Sequence, residues 1–144
     1  MAMFKEGIWE SEVVSVKDTV KLVHTRLCTI KIPYCIYLEG DVGLGKTFIC
    51  KTIASYFDIE NLSSSSFSYL NIYYSHVKLI HADYYCNKTS DEFFYNNIYD
   101  EINNKTILLN EWSPCYHFVD IPQYILNLET TENEKRKIIF SRLR

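Results

Sequence analysis

Apolar residues recur at helical spacing near the start of the chain. Val16, Val20, Val23 and Leu27 follow Ser15, a residue able to cap a helix, and Asp18 stands three positions on. This pattern predicts an amphipathic helix over Ser15 to Thr29. Pro33 then punctuates the chain, and Tyr34 to Leu38 is a continuous apolar run ending at Glu39-Gly40. Such a run reads as a strand buried on both faces, as in a parallel sheet. A helix is expected from Lys46 to about Phe57. Phe67 to Tyr74 and Val77 to Tyr85 read as strands, and Asp91 to Tyr99 as a short helix. Thr106 to Leu109 reads as a second buried strand, with Tyr124 to Leu128 and Lys137 to Phe140 as late strands. The order of strand, glycine-rich loop and helix predicts an α/β fold, its central strands mostly parallel and flanked by helices. No internal repeat is visible. The one biased stretch, Ser63 to Ser66, reads as a flexible loop.

Composition narrows the class. The chain has 144 residues and is 47% hydrophobic, so one domain over residues 1–144 is expected, with ample core material. A chain of this size buries roughly 70% of the surface its unfolded form exposes. It carries 15 Lys and Arg against 18 Asp and Glu, a net charge of −3. Its 12 Tyr and 8 Phe would suit RNA, but a tight nucleic-acid footprint needs a basic excess that is absent. The five cysteines Cys28, Cys35, Cys50, Cys86 and Cys115 form no C-x-x-C pair and no zinc spacing, which points to a reducing cytoplasm. No signal peptide opens the chain, and no apolar run approaches a membrane span.

The candidate chemistry centres on Gly40-Asp41-Val42-Gly43-Leu44-Gly45-Lys46-Thr47, which fits G-x-x-x-x-G-K-[ST] between a buried strand and a helix. In such a P-loop the glycines let successive backbone N–H groups turn inward at phosphate oxygens. Lys46 reaches the β- and γ-phosphates, the Thr47 hydroxyl binds Mg²⁺, and the helix N-terminus adds partial positive charge. Two acidic residues end apolar strands and are candidates for the metal or the attacking water. Asp83 closes Val77 to Asp83, and Glu111 closes Ile107 to Glu111. In a parallel sheet these strand ends gather on the edge that carries the P-loop. Either could instead be a turn former. Asn87-Lys88-Thr89-Ser90 lacks the Asp of a guanine signature, leaving adenine as the default base.

With these residues in place, the chain resembles the bacterial TsaE (YjeE) family of threonylcarbamoyladenosine biosynthesis ATPases, from about Ser15 to Ile138. Gly40 to Thr47 matches the family's Gly-Asp-x-Gly-x-Gly-Lys-Thr, and Asp18-Thr19 is similar to its Glu-Thr near the adenine. His81-Ala82-Asp83-Tyr84-Tyr85-Cys86 resembles His-x-Asp-x-Tyr-Arg, with Cys86 in place of Arg. Glu111-Trp112 matches the start of Glu-Trp-Pro, Ser113 separating Trp112 from Pro114. Ser64-Ser65-Ser66-Phe67 falls on Ser-Pro-Thr-Phe, with serine for both Pro and Thr.

The resemblance implies a small P-loop protein that binds ATP and Mg²⁺ and hydrolyses ATP slowly. It implies two partner proteins that install threonylcarbamoyl on tRNA, the tRNA being met only through them. Thr47 and Glu111 would hold Mg²⁺; Lys46, Asp83, Glu111 and Ser66 would serve hydrolysis. Thr19, Asp41, Gly43, Leu44, Gly45, Lys46, Thr47, Phe48 and Trp112 would line the nucleotide.

Other residues have plainer readings. His81, two before Asp83 and on the same side of a strand, reads as a structural histidine. His24, His76 and His117 show no metal spacing and read as incidental. Trp112 fits a core position as well as a nucleotide or partner contact. Tyr69, Tyr73, Tyr74, Tyr84 and Tyr85 fall on expected strands. Glu132 to Arg144 holds Lys135, Arg136, Lys137, Arg142 and Arg144, a solvated basic end or a contact for tRNA or an acidic partner. Two further functions share a P-loop: a small-molecule or nucleotide kinase, and a nucleotide-binding scaffold without hydrolysis. A kinase needs cations, usually lid arginines, on the transferring phosphoryl group, and none occurs between Arg26 and Arg136.

Overall fold

In the computed structural model, residues 3–41, 43, 45–62, 70–84, 91–113, 115–133 and 135–144 are described. The chain runs through β1 (Lys5–Val13), α1 (Val16–Leu22), β2 (Tyr34–Glu39), α2 (Lys46–Tyr56), β3 (Leu70–Tyr74), β4 (Lys78–Asp83), α3 (Asp91–Asn97), β5 (Thr106–Glu111), β6 (Gln123–Thr130) and β7 (Arg136–Leu143). The strands form one sheet in the order β1-β7-β6-β2-β5-β4-β3. The inner pairs β6·β2, β2·β5 and β5·β4 are parallel, as the buried apolar runs predict. The outer pairs β1·β7, β7·β6 and β4·β3 are antiparallel.

Side-chain alternation sorts the core into two layers. Tyr34, Ile36 and Leu38 of β2, with Leu79, Ile107 and Leu109, pack against Leu22, Val23, Leu27, Ile49 and Ile53 beneath α1 and α2. Cys35, Tyr37, Ile80 and Leu108 face the other way, onto Phe94 and Ile98 at α3. All six residues of β5 are buried, consistent with a strand covered on both faces. His117 is not incidental. It is buried in this second layer with its ring stacked nearly parallel on that of Phe94, centroids 3.9 Å apart, and its backbone N–H donates to Tyr37 Oη at 2.9 Å.

The first helix starts as expected and ends differently. Asp18 N–H donates to Ser15 Oγ at 3.1 Å, and Val14 N–H donates to Asp18 Oδ2 at 3.2 Å. Past Leu22 the helix widens into a π-helical turn, Val23–Leu27, closed by Cys28 N–H on Val23 O. Thr25 Oγ1 donates to Lys21 O, a local bond that competes with the regular ladder. The π turn sets the approach of Leu27 to the sheet.

Two terminal segments correct the sequence reading. Lys5–Val13 was not among the expected strands, because its burial is confined to a few positions and it carries Lys5, Glu6, Glu10 and Glu12. It holds an edge by pairing with β7 and by stacking Trp9 on Phe140 at 5.1 Å. Glu132 to Arg144 is not a solvated end, since most of it is β7, inserted between β1 and β6. Two of its cations meet carboxylates of β1: Lys137 Nζ lies 3.1 Å from Glu10, and Arg144 Nε 2.5 Å from Glu6. Asp91 to Tyr99 divides into α3 and a 3-10 turn, Tyr99–Glu101.

Candidate functional site

The glycines of the Gly40–Thr47 loop take the conformations that the motif requires. Gly40, Gly43 and Gly45 have φ of +137°, +84° and +100°. Each lies where L side chains are strained. The loop delivers the chain to the N-terminus of α2, an 11-residue helix that begins at Lys46. That terminus carries unsatisfied N–H groups and partial positive charge.

Lys46 is only 5% exposed. Its Nζ donates to the carbonyls of Gly40 and Asp41, the latter at 3.0 Å, and lies 3.9 Å from the centre of the Trp112 ring. Burial lowers its pKa from the usual lysine range, and the carboxylates of Glu111, Asp41 and Asp83 partly offset that effect. Trp112 reaches this place through a positive φ of +60°, an uncommon conformation for a bulky residue. Backbone strain of this kind costs about 1–3 kcal/mol and clusters at functional sites.

The carboxylates come from neighbouring parallel strands. Asp83 of β4 is the register partner of Glu111 of β5. Glu111 is 2% exposed and ties three elements together. Its Oε1 accepts from Thr47 Oγ1 at 3.0 Å, and its Oε2 lies 2.5 Å from His81 Nε2. His81, equally buried, is satisfied by Glu111, and the structural histidine of the sequence reading thereby holds a carboxylate of the site. Gly43, Gly45, Lys46, Thr47, Phe48, Asp83, Glu111 and Trp112 line one cavity of about 310 Å³. Thr19 lies in a neighbouring cavity that shares Phe48, and its Oγ1 donates to Ser15 O. Leu44 and Ser66 lie outside the described residues, as do Val42, the Ser64-to-Phe67 loop, Tyr69, Tyr85, Cys86, the Asn87-to-Ser90 stretch and Pro114.

Two members of this neighbourhood escape the sequence reading. Cys50 falls three residues after Thr47 on α2, and its sulfur, a His81 nitrogen and a Glu111 oxygen lie within 4.8 Å of one another. The helical spacing is the signal that could have found it. Arg136 is the other. Its Nη1 lies 2.9 Å from where a Cβ on Gly45 would sit, so an arginine does stand beside the loop although none lies near it in sequence.

Burial also governs the thiols. It pushes Cys28 and Cys35 up to about 12 and, joined by the charge of Glu111, holds Cys50 well above its ordinary value. A raised pKa keeps these groups as unreactive thiols at pH 8. Brief iodoacetamide treatment at pH 8, followed by peptide mass mapping, is expected to leave Cys28, Cys35 and Cys50 unmodified. All three should be modified in guanidinium. Fast native labelling of Cys50 would contradict the buried placement.

Comparison with known proteins now identifies the family. The family described as "Threonylcarbamoyl adenosine biosynthesis protein TsaE" matches residues 13–138. A Rickettsia conorii protein named tRNA threonylcarbamoyladenosine biosynthesis protein TsaE is 36% identical over 126 residues, covering 85% of this chain and 71% of that protein. The Aquifex aeolicus protein of the same name is 34% identical over 142 residues, covering 96% of each. The crystal structure of Bacillus subtilis YdiB superposes with a TM-score of 0.66 at 21% identity, over 96% of this chain and 87% of that one, a likeness of fold. The chain belongs to the TsaE family.

Proposed function

We propose that this protein binds ATP and Mg²⁺, hydrolyses ATP slowly, and by doing so supports tRNA threonylcarbamoyladenosine modification through a complex of two partner proteins. The observation that carries the reading is the Thr47–Glu111 hydrogen bond. It joins the last residue of the phosphate loop to an acidic strand end, 64 residues apart in sequence. A hydroxyl and a carboxylate are oxygen donors of the kind that suits Mg²⁺, so the residues fit the metal. Thr47 and Glu111 would hold it, and when bound it would neutralise charge on phosphate oxygens. Cys50 and His81, softer donors, suit it less.

The chain's own groups account for the rest. Backbone N–H groups of the loop and of the α2 N-terminus receive the phosphates. Lys46 exchanges the carbonyls of Gly40 and Asp41 for phosphate oxygens, whose charge adds to that of the nearby carboxylates in offsetting the burial of its ammonium. His81 fixes one oxygen of Glu111 and leaves the other to Thr47. Asp83, beside Glu111 in the same cavity, orients the attacking water. The tRNA stays with the partners, in keeping with a net charge of −3.

Arginine count does not separate the competing kinase reading from hydrolysis, because Arg136 stands beside Gly45. The choice rests on the family. ATP hydrolysis should be measured with and without the two partner proteins, for wild type, Lys46→Ala and Asp83→Ala. The expectation is a partner-stimulated rate lowered about 10²-fold or more in both variants, the scale of losing an electrostatic or proton-handling group. Wild-type turnover in both variants would overturn the site assignment. Transfer of label from ATP to a small acceptor would favour the kinase.

A further inference from the structure

The elements α2, β4 and β5 each send one metal-binding group to a single buried point. Cys50 lies on α2 three residues past Thr47, so the two share a helix face. His81 belongs to β4 and Glu111 to the neighbouring parallel strand β5. The Cys50 sulfur, a His81 nitrogen and a Glu111 oxygen lie within 4.8 Å of one another, and all three residues are buried. Among the described residues this is the one such group of three. Each ligand stands on a regular element, so the spacing is held by the packing of helix on sheet.

The donor set selects the ion. Thiolate, imidazole and carboxylate together suit Zn²⁺ and its borderline relatives, whereas Mg²⁺ takes oxygen. Around tetrahedral Zn²⁺ such atoms stand about 3.3–3.6 Å apart. The group is close to that size, since the His81 Nε2–Glu111 Oε2 contact of 2.5 Å has to open by only about 1 Å. Charge agrees as well. One thiolate, one carboxylate and a neutral imidazole cancel the two charges of the ion, a neutral set suited to burial. The Cys50 thiol gives its proton to solvent as it ligates. Thr47 Oγ1, donating to the other oxygen of Glu111, orients the carboxylate. Glu111 also lines the cavity of about 310 Å³, which provides an entry path and water for a fourth position.

We infer that Cys50, His81 and Glu111 form a site for a borderline divalent ion of the Zn²⁺ class, and that this ion opposes Mg-nucleotide binding. The opposition rests on the nucleotide reading above; the ion site does not. Glu111 is the shared group. Once its charge is committed to an ion on Oε2, a second divalent ion beside Oε1 and Thr47 meets repulsion. By reciprocity, Mg-nucleotide lowers affinity for the first ion by the same factor.

The test uses the full, reduced chain with Co²⁺ and Zn²⁺ as probes. Wild type is expected to bind one Co²⁺ with a thiolate-to-cobalt charge-transfer band, which one equivalent of Zn²⁺ abolishes. Cys50→Ala should lose the band and bind Zn²⁺ at least about 100-fold more weakly, since losing a ligand costs no less than losing an outer partner. Cys115→Ala, outside the cluster, should keep both. One equivalent of Zn²⁺ should weaken Mg-ADP binding about tenfold or more in wild type and leave it unchanged in Cys50→Ala. X-ray absorption at the zinc edge of wild type needs no variant, and should count one sulfur ligand. Zero or several sulfurs, or a band that survives in Cys50→Ala, would overturn the site. Mg-ADP affinity unchanged or raised by bound Zn²⁺ would overturn the opposition. Wild type that binds no Mg-ADP refutes the proposed function and the opposition with it. Mg-ADP binding without any thiolate band refutes this inference alone.

Discussion

Glu111→Gln is expected to lower ATP turnover by about 10²–10³-fold, equivalent to about 3–4 kcal/mol of lost metal-centred charge stabilisation. Glutamine keeps the shape of the side chain and one acceptor oxygen, so the fold is retained. What disappears is the negative charge beside Thr47. The same substitution should therefore make ADP affinity nearly equal in Mg²⁺ and in EDTA, where wild type shows a clear preference for Mg²⁺. Alanine at this position is a poorer probe. It would strip the acceptor from Thr47 Oγ1 and from buried His81 Nε2 together, costing about 1–3 kcal/mol for each group left unpaired. Single-turnover hydrolysis and paired titrations in Mg²⁺ and EDTA check the prediction. An unaltered Mg²⁺ preference in Glu111→Gln would remove Glu111 from the metal site.

Gly40→Ala is expected to be the most damaging single methyl that the phosphate loop can receive. At φ +137° an L residue is already strained, and the new Cβ would stand 2.7 Å from Leu128 O and 3.1 Å from Leu128 Cβ. The first obstacle is backbone of β6, held by β2 on one side and β7 on the other, so it cannot step aside. A loss of about 3 kcal/mol or more follows, which for a chain of this length lowers the melting temperature by roughly 10 °C. Gly43→Ala provides the contrast. Its φ is +84°, but nothing lies within 4 Å of the added Cβ, so the strain of about 1–2 kcal/mol acts alone. Thermal melts of the two variants without nucleotide should separate by several degrees. Equal melting points would show that the approach to Leu128 is not fixed.

The contrast between what was legible in the sequence and what was not follows from how far each signal is local. The runs that became β2, β4 and β5 could be read because a strand covered on both faces must be apolar throughout. The loop was legible because its glycines serve conformations that other residues avoid. Glu111 and Asp83 were legible because parallel strands bring their carboxyl ends to one edge, and here they are register partners. β1 was obscure for the opposite reason: as an edge strand it satisfies its pattern through Trp9 and Val13, while its charges answer cations of β7. Arg136 and Cys50 were missed because their relevance comes from packing. One arrives across the sheet and the other from beneath the helix, and neither belongs to a motif. The role of His81 needed the cross-strand distance to Glu111, which no count along the chain supplies.

The insertion of β7 between β1 and β6 also bears on how the molecule is assembled. Phe4 and Arg144 exchange a pair of backbone hydrogen bonds, so segments from opposite ends of the sequence close one another. During synthesis β1 is made before the other six strands of the sheet and its partner β7 after them, and the edge of β6 stays open until then. Contacts of such long sequence separation form late, since loop closure must precede any gain from pairing. The phosphate loop, whose neighbours β2, α2, β4 and β5 are already made, can take shape before this seam closes. Only with β7 in place does Arg136 reach Gly45, so the completed seam is what brings that guanidinium beside the loop.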